Sequence, residues 1–176
     1  MKNKELKLKR IPNRNKQILR NQTLEENKTL LNRAMSWLKS TFGYTGLEPA
    51  VERRVNQLIQ EMKDRGYDVM VFEGYRSPER QNKLYAQGRT QPGAIVTNAR
   101  AGESFHNYGV AVDIVFKGDS PWSPKHPWEL LGQVGKSLGF TWGGDWKFKD
   151  LPHFELTFNH KLSDFQTGNV DYFLYV

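Results

Sequence analysis

Residues 103–116 read ESFHNYGVAVDIVF, an apolar strand that carries a carboxylate and is entered through a turn holding a histidine. Two-residue alternation puts Val110, Val112, Ile114 and Phe116 on one face and Ala111, Asp113 and Val115 on the other. Burying an unpaired carboxylate costs on the order of several kcal/mol, so Asp113 needs a compensating charge. Two readings fit. His106 and Asp113 form a salt-bridged strand entrance, or they are two ligands of a metal site whose third member lies elsewhere in the chain.

Upstream of it, Pro49 suits the first turn of a helix, with Val51, Val55, Leu58, Ile59 and Met62 on one stripe and Gly66 as its stop. YDVMVFEGY, residues 67–75, is a strand whose continuous apolar run predicts burial on both faces. Ser77 and Pro78 open a second helix that ends by Gly88. GRTQPGAIVTNARAGE, 88–103, is a long loop, and loops of such length in compact domains are often functional. A further helix is expected from about Trp128 to Leu138, with Gly139 as its stop. LPHFELTF, 151–158, alternates as a last strand, His153, Glu155 and Thr157 sharing one face. No regular βαβ repeat or early Gly-rich phosphate loop appears. The class is α+β, a small mostly antiparallel sheet with flanking helices.

The chain has 176 residues, no cysteine and a net charge of +7. Disulfides and thiolate metal sites are thereby excluded, and a transition-metal site must use His, Asp and Glu. Residues 1–40 hold eleven Lys or Arg against three Asp or Glu, so the basicity belongs to the N-terminus and the remainder is near neutral. We expect a basic arm over 1–43, with an amphipathic helix from Thr23 (capped towards Glu26) to about Lys39, and a domain over 44–176. Such an arm is either simply solvated or drawn to a polyanion. No run approaches the length of a transmembrane helix, and the N-terminus lacks the apolar core of a signal peptide.

Four histidines occur, and His106 and His153 each enter a strand, whereas His126 and His160 sit in loop-like or terminal contexts. His106, Asp113 and His153 would give two imidazoles and one carboxylate, leaving a fourth position open on a catalytic zinc. Gly109 and Ala111 would let a ligand loop approach the strand closely. Metal-assisted hydrolysis also needs a proton acceptor, for which Asp150 is the first candidate and Glu155 the second. Arg76, following a strand end, could meet developing negative charge on a carbonyl. Each residue has a structural alternative: a hydrogen-bonded strand-entry histidine or a surface ion pair. Spacing alone leaves the choice open.

SFHNYGVAVD, Ser104 to Asp113, resembles the S-x-H-x-x-G-x-A-x-D signature of the M15 zinc peptidases, which share a fold with D-alanyl-D-alanine peptidases and the hedgehog signalling domain. DLPHFE, 150–155, resembles the second metal motif. YRSPERQNKLYAQGRTQPGAIVTNA and GFTWGGDWK look like the L-alanyl-D-glutamate endopeptidases of phage endolysins and bacterial wall hydrolases. The resemblance spans about residues 45–158. It implies that His106, Asp113 and His153 bind Zn²⁺, that Asp150 is the general base in a place where many members have Glu, and that Arg76 binds and polarises the substrate carbonyl. It further implies substrate contacts from Ser104 and Asp145.

The substrate so implied is the peptidoglycan stem peptide, cut between L-Ala and D-Glu at the cell envelope or outside the cell. Without a readable signal peptide, the protein is expected to stay in the cytoplasm until released. A D,D-carboxypeptidase or dipeptidase of the same fold, and a non-enzymatic metal-stabilised wall-binding module, are the competing expectations. The basic arm is expected to meet an anionic wall polymer or membrane surface. No nucleic-acid partner is expected, because the domain is near neutral.

Overall fold

Strand β2, Ala111–Phe116, is the centre of the fold. The computed structural model describes residues 46–170. The expected helix from Thr23 and the expected boundary near residue 44 lie outside them. Within them the order is α1 (Pro49–Asp64), β1 (Val69–Glu73), α2 (Pro78–Ala86), β2, α3 (Trp128–Ser137), β3 (Thr141–Trp142), β4 (His153–Glu155) and α4 (Leu162–Thr167). The four strands form one antiparallel sheet in the order β1-β2-β4-β3. The α+β expectation holds.

The helices start and stop where their sequences say they should. Pro49 and Pro78 occupy first-turn positions, and the Ser77 side chain accepts a hydrogen bond from the Arg80 amide. Gly66 and Gly139 follow α1 and α3 with positive φ. One face of the sheet presents Val112, Ile114 and Phe154 to Val51, Val55, Leu58 and Met62 of α1 and to Leu131 and Val134 of α3, all buried. Helix α3 comes close because Gly132 and Gly135 lack side chains: a Cβ at either would collide with Trp142 or Phe154. The opposite face of β2 and β4 carries Asp113, His153 and Glu155, and the site is built there.

Two expectations are corrected. β1 is an edge strand and alternates in burial; Met70 and Phe72 are exposed, so it is not covered on both faces. Phe72 is 54% accessible and meets the Trp122 ring edge-on at 4.8 Å. An apolar run alone does not separate a central strand from an edge strand whose outer face is aromatic. Secondly, the small side at Gly109 admits the segment before α1 rather than a ligand loop. Glu48 N donates to Gly109 O at 3.0 Å, and a Cβ on Gly109 would lie 2.8 Å from Gly46 O.

Candidate metal centre

A short 3₁₀ turn, Phe105–Tyr108, explains how residues seven apart converge. Ser104 caps it, its Oγ accepting from His106 N at 3.4 Å, and Gly109 ends it in the left-handed region at φ +70°. The chain therefore folds back on itself before β2 begins, and His106 lies over the third residue of the strand, Asp113. Asp113 pairs in register with His153 on β4 and with Glu73 on β1. Central strand position thus gives Asp113 a functional neighbour on each side.

Three atoms meet at one point. His106 Nε2 is 3.2 Å from His153 Nδ1 and 3.3 Å from Asp113 Oδ1, and His153 Nδ1 is 3.0 Å from Asp113 Oδ1. The remaining ring nitrogens are held from behind. His106 Nδ1 donates to Gly74 O at 2.7 Å, and His153 Nε2 donates to a Glu155 carboxylate oxygen at 3.0 Å. With a metal bound, those bonds would keep the protons on the outer nitrogens, so that both inner nitrogens could turn lone pairs to the point faced by Asp113 Oδ1. Three acceptors facing each other repel unless a cation lies between them. Tetrahedral ligands about 2.0–2.1 Å from a metal stand roughly 3.3–3.4 Å apart, close to the observed triangle. The donor set and its spacing fit a divalent metal.

The triangle lies in a cleft of about 690 Å³ that is also lined by Glu73, Arg76, Ser104, Asp150 and Glu155. Burial opposes the Asp113 charge, but hydrogen bonds to His106 and His153, and their charges, hold its carboxyl well below the usual range. Burial would lower the pKa of His153, yet hydrogen bonds to Asp113 and Glu155 push it up to about 9. Without a metal, a proton takes the cation's place. Burial raises the pKa of Asp150, with the positive field of His153 opposing and the Asp113 charge adding to the rise.

A sequence profile of the M15 peptidases, described as D-alanyl-D-alanine carboxypeptidase, matches residues 97–156. The peptidoglycan L-alanyl-D-glutamate endopeptidase CwlK of Bacillus subtilis (strain 168) is 43% identical over 122 residues, 62% of this chain and 73% of that protein. The chain belongs to the M15 peptidase family. A second relative, the L-alanyl-D-glutamate peptidase of Listeria phage A118, is 33% identical over 110 residues, 60% of this chain and 35% of the phage protein. In three dimensions, DacB from Streptococcus pneumoniae D39 aligns with a TM-score of 0.52 at 20% identity, over 73% of this chain and 76% of that one, and shares the fold. M15 peptidases are metallopeptidases, in keeping with the possible site formed by His106, Asp113 and His153.

The structure of this M15 peptidase brings together all but one of the residues expected from its sequence. Arg76, nearly buried, reaches Asp113 Oδ2 at 3.4 Å and is clamped by Glu73 Oε2 at 2.7 and 3.0 Å and by Gln81 Oε1 at 3.0 Å. Its backbone is tied to the turn carrying His106, since Arg76 N donates to His106 O and Asn107 Nδ2 donates to Arg76 O. Asp150 reaches the cleft because its backbone N donates to Gly143 O and its carbonyl accepts from His153 N. Trp142 secures the same loop through Nε1 to Leu151 O at 2.8 Å. Asp145 is the exception. It is not among the residues lining the cleft, and its carboxylate pairs with exposed Lys136 at 3.0 Å.

Glu73 and Gln81 were not anticipated. Glu73 carried a signal, a carboxylate closing an apolar strand three residues before an arginine. Gln81 carried none: it is fully buried on α2, bonded to Arg76 and through Nε2 to Ala99 O at 2.7 Å. Glu155 stands behind His153 as its hydrogen-bond acceptor, which leaves Asp150 as the better placed of the two candidate bases.

Proposed function

We propose that this protein is a zinc-dependent peptidoglycan hydrolase that cleaves the L-Ala–D-Glu bond of the stem peptide, with the cell wall as its site of action. The observation that carries the reading is the triangle of His106 Nε2, Asp113 Oδ1 and His153 Nδ1, 3.0–3.3 Å on each side, at the wall of an open cleft. Support for the bond comes from the two relatives, both named for L-alanyl-D-glutamate cleavage.

His106 Nε2, Asp113 Oδ1 and His153 Nδ1 would hold the ion. When bound, zinc supplies Lewis acidity, polarising an oxygen and lowering the pKa of water. Asp150 takes a proton from the attacking water at its carboxylate and returns it to the departing amide nitrogen. Burial supports that role by raising its pKa towards the working range of a base. Arg76, held by Glu73 and Gln81, orients the scissile carbonyl and meets its developing charge. Ser104 acts through His106, fixing the turn that presents the imidazole. The basic segment 1–43 is assigned to an anionic wall polymer or membrane surface on its charge.

The test is digestion of purified peptidoglycan by the full chain, Asp150→Asn and His153→Ala, with mass spectrometry of the new termini. New D-Glu amino termini from the wild type, absent with either variant, are expected. The matched profile's description favours one other reading, removal of terminal D-Ala. Free D-Ala without D-Glu amino termini would establish that reading instead.

A further inference from the structure

The cleft is acidic for one that receives an anionic peptide. Glu73, Glu103, Asp113, Asp150 and Glu155 all line it. Asp113 is matched by the histidines and the ion they would share, Glu73 by Arg76 and Arg80, and Glu155 by His153; Glu103 and Asp150 remain. Of the two guanidinium groups in the lining, that of Arg76 keeps a single Nη1 donor, the one left for the scissile carbonyl. Its Nε and Nη2 go to Glu73, Nη1 to Gln81 and Nη2 also to Asp113. Arg80 differs. Its side chain is half exposed, only Nε is engaged, at 3.3 Å from Glu73 Oε1, and its two terminal nitrogens have no partner among the described residues. Because Glu73 grips both arginines, the free end of Arg80 is carried on the carboxylate that holds Arg76 against Asp113. The backbone beneath it is fixed, since Arg80 N donates to Ser77 Oγ.

We propose that Arg80 binds the free α-carboxylate of the D-Glu residue and makes the enzyme selective for stem peptides in which that group is not amidated. The inference rests on the proposed L-Ala–D-Glu cleavage. In the stem peptide the chain continues through the γ-carboxyl of D-Glu, so the carbon bearing the scissile nitrogen also bears a free carboxylate. Wherever the scissile bond docks, that anion docks beside it, in a cleft whose lining holds Glu103 and Asp150. Two parallel N–H donors from one guanidinium match a carboxylate in geometry and charge. Arg80 offers such a pair, held by Glu73 at the edge of the reacting centre. An α-amide neither carries the charge nor accepts both bonds.

Two synthetic N-acetylated peptides decide it, L-Ala-γ-D-Glu-L-Lys and its D-isoglutamine counterpart, given to the zinc-loaded full chain. The wild type is expected to favour the acid by about ten- to a hundredfold in kcat/KM, the range of a hydrogen bond between charged groups. In Arg80→Gln the ratio falls towards one, with the loss on the acid substrate and mainly in KM. Arg80→Lys keeps the charge without the fork and gives an intermediate ratio, which decides the matter should circular dichroism show Arg80→Gln unfolded. A wild-type ratio near one, or a ratio undiminished in the variants, overturns the assignment while leaving the cleavage reading standing. Cleavage of neither peptide by the wild type removes both.

Discussion

Asp113 Oδ1 lies 3.0 Å from Nδ1 of His153, its register partner across β2 and β4, while Asp113 Oδ2 is turned to Arg76 at 3.4 Å. One carboxylate therefore serves two neighbours, one oxygen in the ligand triangle and the other holding the arginine assigned to the substrate. On the proposed function, metal binding and substrate orientation share a residue, and substitutions around it should separate into distinguishable groups.

Glu155→Gln keeps the size of the side chain but removes the charge that orients His153. Metal affinity is expected to fall about 10–100-fold, the usual cost of losing the partner behind a ligating histidine. Asp150→Asn is expected to bind metal as the wild type does and to lose about 10²–10⁴ in kcat. Metal titration alongside initial rates checks both. Equal metal loss in the two variants would remove the division between ligand support and base.

Gly109→Ala tests the turn that makes convergence possible. The residue sits at φ +70°, and the new Cβ would meet Gly46 O at 2.8 Å, a backbone atom with little freedom to move. The left-handed conformation alone costs a non-glycine residue about 1–2 kcal/mol. A urea midpoint lower by at least that equivalent, together with weakened metal binding, is expected. An unchanged midpoint would mean that the segment before α1 yields easily.

What could be read from the sequence follows from where the information lies. His106, Asp113, His153 and Asp150 sit in two short motifs whose local geometry, a 3₁₀ turn into a strand and a tight loop into a strand, is set by neighbouring residues. Helix limits were legible from Pro49, Ser77, Gly66 and Gly139 for the same reason. Gln81 was not, because its burial depends on Arg76 and the Ala99 carbonyl arriving from other parts of the chain. The exposed face of β1 was hidden by Phe72, whose apolar character reads as core although its ring packs on Trp122 at the cleft. Asp145 lies next to a motif, yet its position on a 3₁₀ turn directs it to Lys136 and away from the cleft lining.

The basic segment gives a prediction about salt. Deleting residues 1–40 removes a net +8 and leaves a near-neutral chain. Binding to purified walls or anionic vesicles at low ionic strength is expected to weaken on deletion, and the difference should shrink as salt approaches 1 M, where the screening length is about 3 Å. Cosedimentation measures it. Identical binding by both chains at low salt would remove the segment's assigned role.

His153 makes metal binding depend on pH in a definite direction. In the metal-free protein its pKa is raised to about 9, whereas an unperturbed histidine titrates near 6.5. The proton therefore stabilises the metal-free fold fully below about pH 6.5, and that contribution is lost as pH rises through about 9. Asp113, held well below its usual range, stays ionised throughout. A metal must displace the His153 proton, because Nδ1 needs its lone pair to ligate. Apparent metal affinity should thus rise about tenfold per pH unit from 6.5 towards 9 and then level off. Calorimetry in buffers of different ionisation enthalpy should detect close to one proton released per ion at pH 7.5. Proton release near zero there would mean that His153 is already neutral before the metal arrives, and that its bond to Glu155 alone sets its state.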